Sequence, residues 1–349
     1  AGYGRGGRMQ IESDEVEVLG GVRFARTLGS PVALLIRNRD FANWSAIMDP
    51  QGIRPEGDAA RAVTRPRPGH ADLAGALKFG TYDARDILER ASARETAART
   101  AAGALAKAFL AELGVVVTSR TVAVGGTMAP DGEADDVDAL LALPDDAPMR
   151  VLDAATVRAM IAEVDEARSS ADSLGGCFEI IARGLPPGLG SHVHWDRRLD
   201  AKIGAAILSI PAVKGVSIGE GLEVAEGRGS SAHDPIVYDA AARRFVRPTN
   251  RAGGIEGGMS NGECVRVRGY LKPLATLPHG LPSADLVTKQ PFAADVERTD
   301  TVPIVAAGGV GEAMLAFVLA EAALEKFGGD AVRETRANLD AFVGGLRGF

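Results

Sequence analysis

The sequence predicts an α+β fold, and three observations support this class. Strand-like and helix-like segments are intermixed along the 349 residues. Pairs of strands joined by short turns outnumber strand–helix–strand units, which favours antiparallel over parallel sheets. The chain length and the hydrophobic content of 46% are sufficient for a large core.

The first half of the chain is predicted to begin with two short strands and to continue into a long helix. The strands correspond to "EVEVLGGVRFA" and "SPVALLIRN". Residues 83–114 have the strongest helical pattern of the chain, which Gly114 ends. "VVVTSRTVAVGG" follows as a strand. We interpret the acidic, Pro- and Gly-containing residues 126–150 as a surface excursion rather than a domain linker.

The second half alternates between clear helices and strands. An amphipathic helix is predicted over 154–171 and a strand over 177–184. In "RRLDAKIGAAILSI", the helical spacing puts Leu199, Ile203 and Ile207 on one face. "ECVRVRGYL" alternates as a half-buried strand does, and helices over 311–329 and 330–346 close the chain.

Charge and composition exclude several classes of function. Lys and Arg total 39 against 46 Asp and Glu, a net charge of 39 − 46 = −7, which argues against nucleic acid and anionic membranes as general partners. Aromatic residues make up only 5%, without a stacking motif. We find no apolar run of about 20 residues that could span a bilayer and no signal peptide. Cys177 and Cys264 have no metal-ligand spacing, which favours a cytoplasmic location without a metal.

Arg94 has no evident counterion on the predicted helix 83–114. Its neighbours three and four residues away are Arg90 and small alanines. The alanine-rich run 97–108 predicts close packing, and a buried cation needs a partner. We therefore expect Arg94, together with Arg90, to face an anion or a carboxylate from elsewhere, against the alternative of a solvated arginine.

Other cations occur where proline or glycine constrains the backbone. They are Arg5 and Arg8 in "GYGRGGR", Lys272 before Pro273, and Arg298 two residues before Asp300. The Gly-rich loop 249–263 could bring its amides close to a phosphate or a planar ring. Each is weak evidence alone, but the set in an acidic chain predicts a small polyanionic ligand.

His70 is the histidine in the most constrained position. It follows Pro68-Gly69 and precedes Asp72 by two residues, whereas the other four histidines lie in polar or turn-rich segments. The pKa of a histidine is usually near the operating pH, which suits proton transfer. A structural hydrogen bond is the alternative for this residue.

Several motifs together resemble the chorismate synthase family. They are "RPRPGHAD", "LERASARETAART", "TNRAGGIEGG", "LKPLAT" and "GEAML…EKFGGD", and the resemblance covers essentially the whole chain in order. It implies a single domain over 1–349, folded as a β-α-β sandwich of antiparallel sheets around helices, and a homotetramer. It also implies the anti-1,4-elimination of phosphate from 5-enolpyruvylshikimate-3-phosphate, which gives chorismate and requires reduced FMN without net redox change.

The resemblance also assigns site residues. His70 matches the histidine thought to protonate the reduced flavin near N1, and Asp300 the aspartate proposed to take the N5 proton. Arg5 and Arg67 match arginines for the anionic substrate, and we assign Arg94 to the same ligand. The predicted FMN contacts are Arg90, Ala91, Ser92, Pro211, Ala212, Gly257, Lys272, Pro273, Leu274, Ala275, Thr276 and Arg298. Whether the flavin is reduced by NADPH on this protein or by an external flavin reductase stays open.

The resemblance further implies a Gly-Glu-Ser-His-Gly motif ahead of residue 1, whose histidine protonates the departing phosphate. These 349 residues do not contain it, and on their own we expect them to be nearly inactive. The alternative from another class is therefore a truncated or degenerate binding protein that holds a flavin or a phosphorylated ligand without turnover.

Overall fold

A five-stranded antiparallel sheet lies at the centre of the fold in the computed structural model, which describes residues 2–6, 14–53, 61–297 and 299–349. The strands are β1 (Val16–Gly20), β2 (Val22–Arg23), β3 (Arg26–Thr27), β4 (Ala33–Ile36), β5 (Val116–Val124), β6 (Thr127–Met128), β7 (Gly176–Arg183), β8 (Val213–Ile218), β9 (Val237–Asp239), β10 (Arg244–Val246), β11 (Ile255–Glu256), β12 (Met259–Ser260), β13 (Val265–Leu271), β14 (Pro282–Ala284) and β15 (Pro291–Ala293). The central sheet has the order β6-β5-β7-β13-β8, and every neighbouring pair is antiparallel.

Ten helices pack on this sheet or on one another in the described part of the chain. They are α1 (Asp72–Phe79), α2 (Arg85–Arg90), α3 (Thr96–Glu112), α4 (Val137–Ala142), α5 (Ala154–Ser169), α6 (Leu199–Leu208), α7 (Leu222–Glu226), α8 (Gly229–Ala232), α9 (Ile304–Phe327) and α10 (Val332–Leu346). Helix α9 packs on β5 and β7, α3 packs on α9, and β4 of the antiparallel β1–β4 pair packs on α3. Helices therefore lie between antiparallel strands, which confirms the predicted α+β sandwich.

Local sequence patterns explain the core elements. Leu199, Ile203 and Ile207 of α6 are completely buried, as their spacing predicts. Buried and half-buried residues alternate along β13, so one face of this strand lies in the core. Glycines allow α9 to approach its neighbours, since a Cβ at Gly103 of α3 would lie 2.3 Å from the Cβ of Ala313 in α9. The core therefore depends on close helix packing as well as on apolar area.

Helix α9 corrects one expectation from the sequence. It contains an 18-residue window with a mean hydropathy of 1.7, so by length and composition it could cross a membrane, contrary to our statement that no such run exists. However, 67% of this window is buried inside the protein, because α9 lies between the sheet and helices α3 and α6. Such burial on nearly all sides explains an apolar helix without a polar face.

The single helix predicted over 83–114 is wrong. Helix α2 ends at Arg90, a 3-10 turn spans Ala93–Glu95, and α3 begins at Thr96. At the break, the Ser92 side chain accepts a hydrogen bond from the backbone N–H of Arg94. A serine that caps a new helical turn in this way competes with continuation of the preceding helix.

The segment 126–150, interpreted as a surface excursion, carries its own secondary structure. It contains β6, a 3-10 turn over Asp131–Asp135, and α4. Val137 and Leu140 of α4 are buried against Ile181 on the face of the sheet opposite α9. This segment therefore covers part of the second face of the sheet.

Candidate active site

The loop before α1 brings three functional side chains together. Gly69 has a φ of +78°, a left-handed conformation that favours glycine, and the His70 N–H donates to the Arg67 carbonyl oxygen at 3.2 Å. This tight turn delivers His70 just before Asp72, the first residue of α1. We call Arg67, His70 and Asp72 the acid–base cluster.

Asp72 is the centre of the acid–base cluster. Its side chain is 0% exposed, that of Arg67 is 8% exposed and that of His70 is 22% exposed. Arg67 Nε donates to Oδ2 of Asp72 at 2.8 Å, and Arg67 Nη2 donates to Oδ1 at 3.1 Å. The imidazole Nδ1 of His70 lies 2.5 Å from the same Oδ1. One buried carboxylate therefore holds both a guanidinium and an imidazole.

These contacts also set the charge of Asp72. Burial alone would raise the pKa of Asp72, but hydrogen bonds from His70 and Arg67 outweigh burial and hold the pKa well below its usual range. Asp72 is therefore a carboxylate at neutral pH. A buried carboxylate with charged partners of this kind is costly to disturb, because removing one partner leaves the other uncompensated.

The loop 272–276 packs against the acid–base cluster. Arg67 Nη1 donates to Thr276 Oγ1 at 3.0 Å, and a Cβ placed on Gly69 would lie 3.8 Å from Lys272 Nζ. The Lys272 backbone N–H donates to the Ala212 carbonyl oxygen at 3.0 Å. Three segments distant in sequence are therefore joined by these contacts.

Lys272 faces a second cation. Burial lowers the pKa of Lys272 below its usual value, and the nearby Lys214 ammonium lowers the pKa further. Among the described residues, the Lys272 ammonium donates only to the carbonyl oxygen of its neighbour Pro273, at 3.4 Å. Two neighbouring ammonium groups of this kind suit a phosphate or another anion.

A second group of residues surrounds a cavity of about 240 Å³. Arg5 Nε lies 3.0 Å from Oδ2 of Asp300, and the Gly6 N–H donates to Oδ1 of Asp300 at 2.6 Å. The cavity is lined by Arg5, Gly6, Arg168, Ala171, Asp172, Pro278, Thr299, Asp300 and Thr301. A fixed carboxylate therefore lies in the wall of this cavity.

Residues 173 and 174 connect this cavity to loop 272–276. The Ser173 hydroxyl donates to the Leu274 carbonyl oxygen at 2.9 Å, and the Leu174 N–H donates to the Thr301 carbonyl oxygen at 3.0 Å. The Asp300 cavity and the acid–base cluster are therefore joined through one short connection.

Comparisons with known proteins identify the family of this chain. A family model described as chorismate synthase matches residues 1–324. The chain belongs to the chorismate synthase family. The chorismate synthase of Solibacter usitatus is 53% identical over 342 residues, which cover 98% of this chain and 88% of that protein. That of Thermobifida fusca is 52% identical over 351 residues, which cover 99% and 89%. A crystal structure of a chorismate synthase superposes with a TM-score of 0.76 at 38% identity, over 96% of this chain and 86% of that one.

The structure brings together only part of the site predicted from the resemblance to chorismate synthase. His70, Arg67, Thr276, Lys272 and Ala212 are connected by the contacts given above. Asp300 and Arg5 join them through residues 173 and 174. Pro211, Pro273, Leu274 and Ala275 lie in the same two backbone segments. Ligand contacts of all these residues stay predictions.

The contacts described above do not include the other predicted site residues of the chorismate synthase pattern, whose roles stay predictions. Arg94 donates to the Asp14 carboxylate and to the Arg37 carbonyl oxygen. This contact confirms the expectation of a carboxylate from elsewhere. The prediction that Arg94 lies beside alanines on one continuous helix is wrong, because Arg94 lies in the 3-10 turn before α3. Arg90 is exposed at the end of α2, with Ala91 and Ser92 at the helix break. Gly257 forms the turn between β11 and β12. Arg298 and Arg8 lie outside the described residues.

Two residues of the site were not assigned by sequence reasoning. Asp72 was noticed only as a neighbour of His70, although its spacing of two residues was a usable signal. Lys214 was missed because nothing local marks it. It lies in β8 at an irregularity of the pairing with β13, between Val213 and Gly215. Such irregularities redirect side chains next to active sites, but they are not visible in the sequence.

Proposed function

We propose that this member of the chorismate synthase family eliminates phosphate from 5-enolpyruvylshikimate-3-phosphate to give chorismate, the last step of the shikimate pathway, with reduced FMN. The observation that carries the proposal is the packing of the acid–base cluster against loop 272–276. This packing puts the loop that carries an imidazole able to exchange protons beside the Lys272 ammonium, which can bind phosphate. Family membership supplies the lyase reaction and the substrate.

The residues beside loop 272–276 fit a flavin phosphate. When bound, reduced flavin supplies the electron density that assists loss of the C3–O bond and accepts hydrogen from C6 without net redox change. Lys272 and Lys214 would hold the phosphate, since both are cations and Lys272 is half-buried. Pro211 and Ala212 would contact the flavin from the segment that accepts the Lys272 N–H.

The protein's own groups would position the substrate and move protons. His70 would exchange a proton at Nε2, because its Nδ1 faces the Asp72 carboxylate. Asp300 would accept a proton at a carboxylate held in place by Arg5 and Gly6. Positioned acid–base groups of this kind contribute roughly 10²–10⁴-fold to rates. Arg5 would also attract the anionic substrate to the cavity.

The resemblance supports further parts of the proposal. The chain would act as a homotetramer in the cytoplasm and would need neither nucleic acid nor a membrane as partner. Its flavin would be reduced by NADPH or by an external flavin reductase. Mass photometry of the purified protein tests the tetramer, and NADPH oxidation in the presence of FMN tests whether this protein reduces its own flavin.

An anaerobic single-turnover experiment tests the activity. The full-length protein is mixed with reduced FMN and 5-enolpyruvylshikimate-3-phosphate, and phosphate and chorismate are quantified. We expect both products in equal amounts, with a transient flavin absorbance change. Binding of both ligands without phosphate release would overturn the proposal in favour of the non-catalytic binding protein. Oxidised FMN in place of reduced FMN is the control and should give no product.

A further inference from the structure

The buried carboxylate of Asp72 has more partners than a capping residue at the start of a helix requires. Its two oxygens meet the Arg67 guanidinium, the Arg67 backbone N–H at 3.1 Å and the imidazole Nδ1. A structural aspartate at a helix start usually accepts only from the amides of the first turn. The convergence of a guanidinium and an imidazole on one carboxylate points to a role for Asp72 in the chemistry of His70.

The contact between Asp72 and His70 determines which imidazole nitrogen carries a proton. If Nδ1 were unprotonated, its lone pair would face the lone pairs of a carboxylate oxygen 2.5 Å away, which is repulsive. A proton on Nδ1 turns the same contact into a charge-assisted hydrogen bond. Nδ1 therefore donates to Asp72, and Nε2 is the nitrogen left for proton exchange.

Arg67 links this pair to loop 272–276. Its Nη2 lies 3.0 Å from His70 Nδ1 while donating to Asp72, and its Nη1 donates to Thr276. The charged groups that face His70 are therefore Asp72 and Arg67 from its own loop, and Lys272 from loop 272–276, on the side of Gly69. Among these groups, Asp72 is the only anion, so it alone favours the protonated imidazole.

We propose that Asp72 is the positioning residue of His70: it fixes the imidazole as the Nδ1-protonated form, presents Nε2 for proton transfer, and holds Arg67 against loop 272–276. This inference rests on the proposed function, in which His70 exchanges the proton. A carboxylate behind a histidine performs the same task in other enzymes, where it orients the ring and stabilises the imidazolium.

The chain contains a matched control. His194 and Asp196 have the same two-residue spacing and the same Nδ1–Oδ1 contact, at 2.7 Å, but their side chains are 61% and 56% exposed. Asp72→Asn and Asp196→Asn thus make the same chemical change in a buried and in an exposed pair. Asparagine keeps the volume and one acceptor oxygen but removes the charge.

The first test compares the pH dependence of turnover in the two variants. We expect Asp72→Asn to lower kcat roughly 10- to 100-fold, as loss of a supporting partner commonly does, and to move the pH profile toward lower pH, because an amide stabilises imidazolium less than a carboxylate does. Asp196→Asn should retain the wild-type profile. An unchanged profile in Asp72→Asn overturns the inference.

The second test needs neither turnover nor a variant at position 72. Histidine labelled with ¹⁵N in the wild-type protein reports the tautomer of each imidazole, and His70→Gln identifies the His70 signals. We expect Nδ1–H with Nε2 unprotonated in the neutral form. The opposite tautomer overturns the inference even if Asp72→Asn fails to fold. Absence of chorismate formation by wild type, with the expected tautomer present, would instead reject the proposed function alone.

Discussion

Arg5 and Asp300 form an ion pair in which Nε of the arginine lies 3.0 Å from Oδ2 of the carboxylate. The other oxygen accepts the Gly6 N–H at 2.6 Å, so both oxygens of Asp300 are held. Gly6 allows this approach, because a Cβ there would lie 2.4 Å from the Thr299 carbonyl oxygen. The N-terminal glycine-rich segment thus fixes one carboxylate in the wall of the cavity.

We predict that Asp300→Asn lowers single-turnover formation of chorismate by about 10²–10⁴-fold, since an amide cannot accept the proton that a carboxylate accepts. Affinity for reduced FMN should persist, which equilibrium titration under anaerobic conditions measures. Asp172→Asn is the matched control, because Asp172 lines the same cavity and its Oδ1 accepts from the Ser173 N–H. Turnover near wild type in Asp300→Asn would remove this residue from proton transfer.

Local sequence patterns correctly predicted the helices and strands that bury one face in the core, because burial of one face produces a regular spacing of apolar residues. The spacing of Leu199, Ile203 and Ile207 and the alternation in β13 are examples, because each depends on burial of one face only. The break before α3 has a local signal, since Ser92 followed by Glu95 is the pattern of a capping box at a helix start, but the partner of Arg94, Asp14, lies eighty residues away. Tertiary contacts of this kind override local propensity.

The sequence identified several residues of the candidate site, but it did not predict how they are arranged in space. The constrained "RPGHAD" turn singled out His70, and its own loop supplies Arg67 and Asp72. In contrast, the contact of Arg67 with Thr276 joins residues 209 positions apart, which no spacing rule reveals. The carboxylate expected for Arg94 also comes from another segment, and the sequence does not identify it as Asp14.

A buried ion pair on the central sheet provides a stability test. Arg120 Nε donates to Oε2 of Glu179 at 2.7 Å, and both side chains are completely buried. Burial would raise the pKa of Glu179, but Arg266, Arg120 and Arg268 lower it below its usual value. We predict that Glu179→Gln costs about 3–5 kcal/mol in the free energy of unfolding, because three guanidinium groups lose their shared anion.

Urea denaturation followed by circular dichroism measures this cost. The control is Asp340→Asn, which removes an exposed ion pair with Arg336 and should cost less than about 1 kcal/mol. Replacing Arg120 together with Glu179, in Arg120→Met with Glu179→Leu, should recover only part of the loss, because Arg266 and Arg268 still lose this carboxylate. Equal stability of Glu179→Gln and the control would show that the buried pair contributes nothing.

The pH dependence of the unfolding free energy in acid tests the charge of Asp72. Its pKa is lowered in the folded protein, while an unfolded aspartate has a pKa of about 3.9. The unfolded state therefore binds more protons, so this contribution is complete above about pH 4 and is lost as the pH falls below that value. Asp72→Asn should flatten the dependence of the unfolding free energy on pH below about pH 4, relative to wild type and to the exposed variant Asp146→Asn. An identical slope in all three proteins would contradict a lowered pKa at Asp72.

Variants of Lys272 and Lys214 can distinguish recognition of the flavin phosphate from recognition of the flavin ring. Lys272→Met should weaken FMN binding roughly 10- to 100-fold, because a hydrogen bond between charged groups contributes about 1.5–3 kcal/mol. Riboflavin has the same ring without the phosphate, so its affinity should stay at the wild-type value, and Lys214→Met should show the same selectivity. Lys202→Met is the control, since its ammonium lies 3.4 Å from a carboxylate oxygen of Glu321 on α9. Equal weakening of FMN and riboflavin in Lys272→Met would mean that the lysine shapes the ring site and that the phosphate is bound elsewhere.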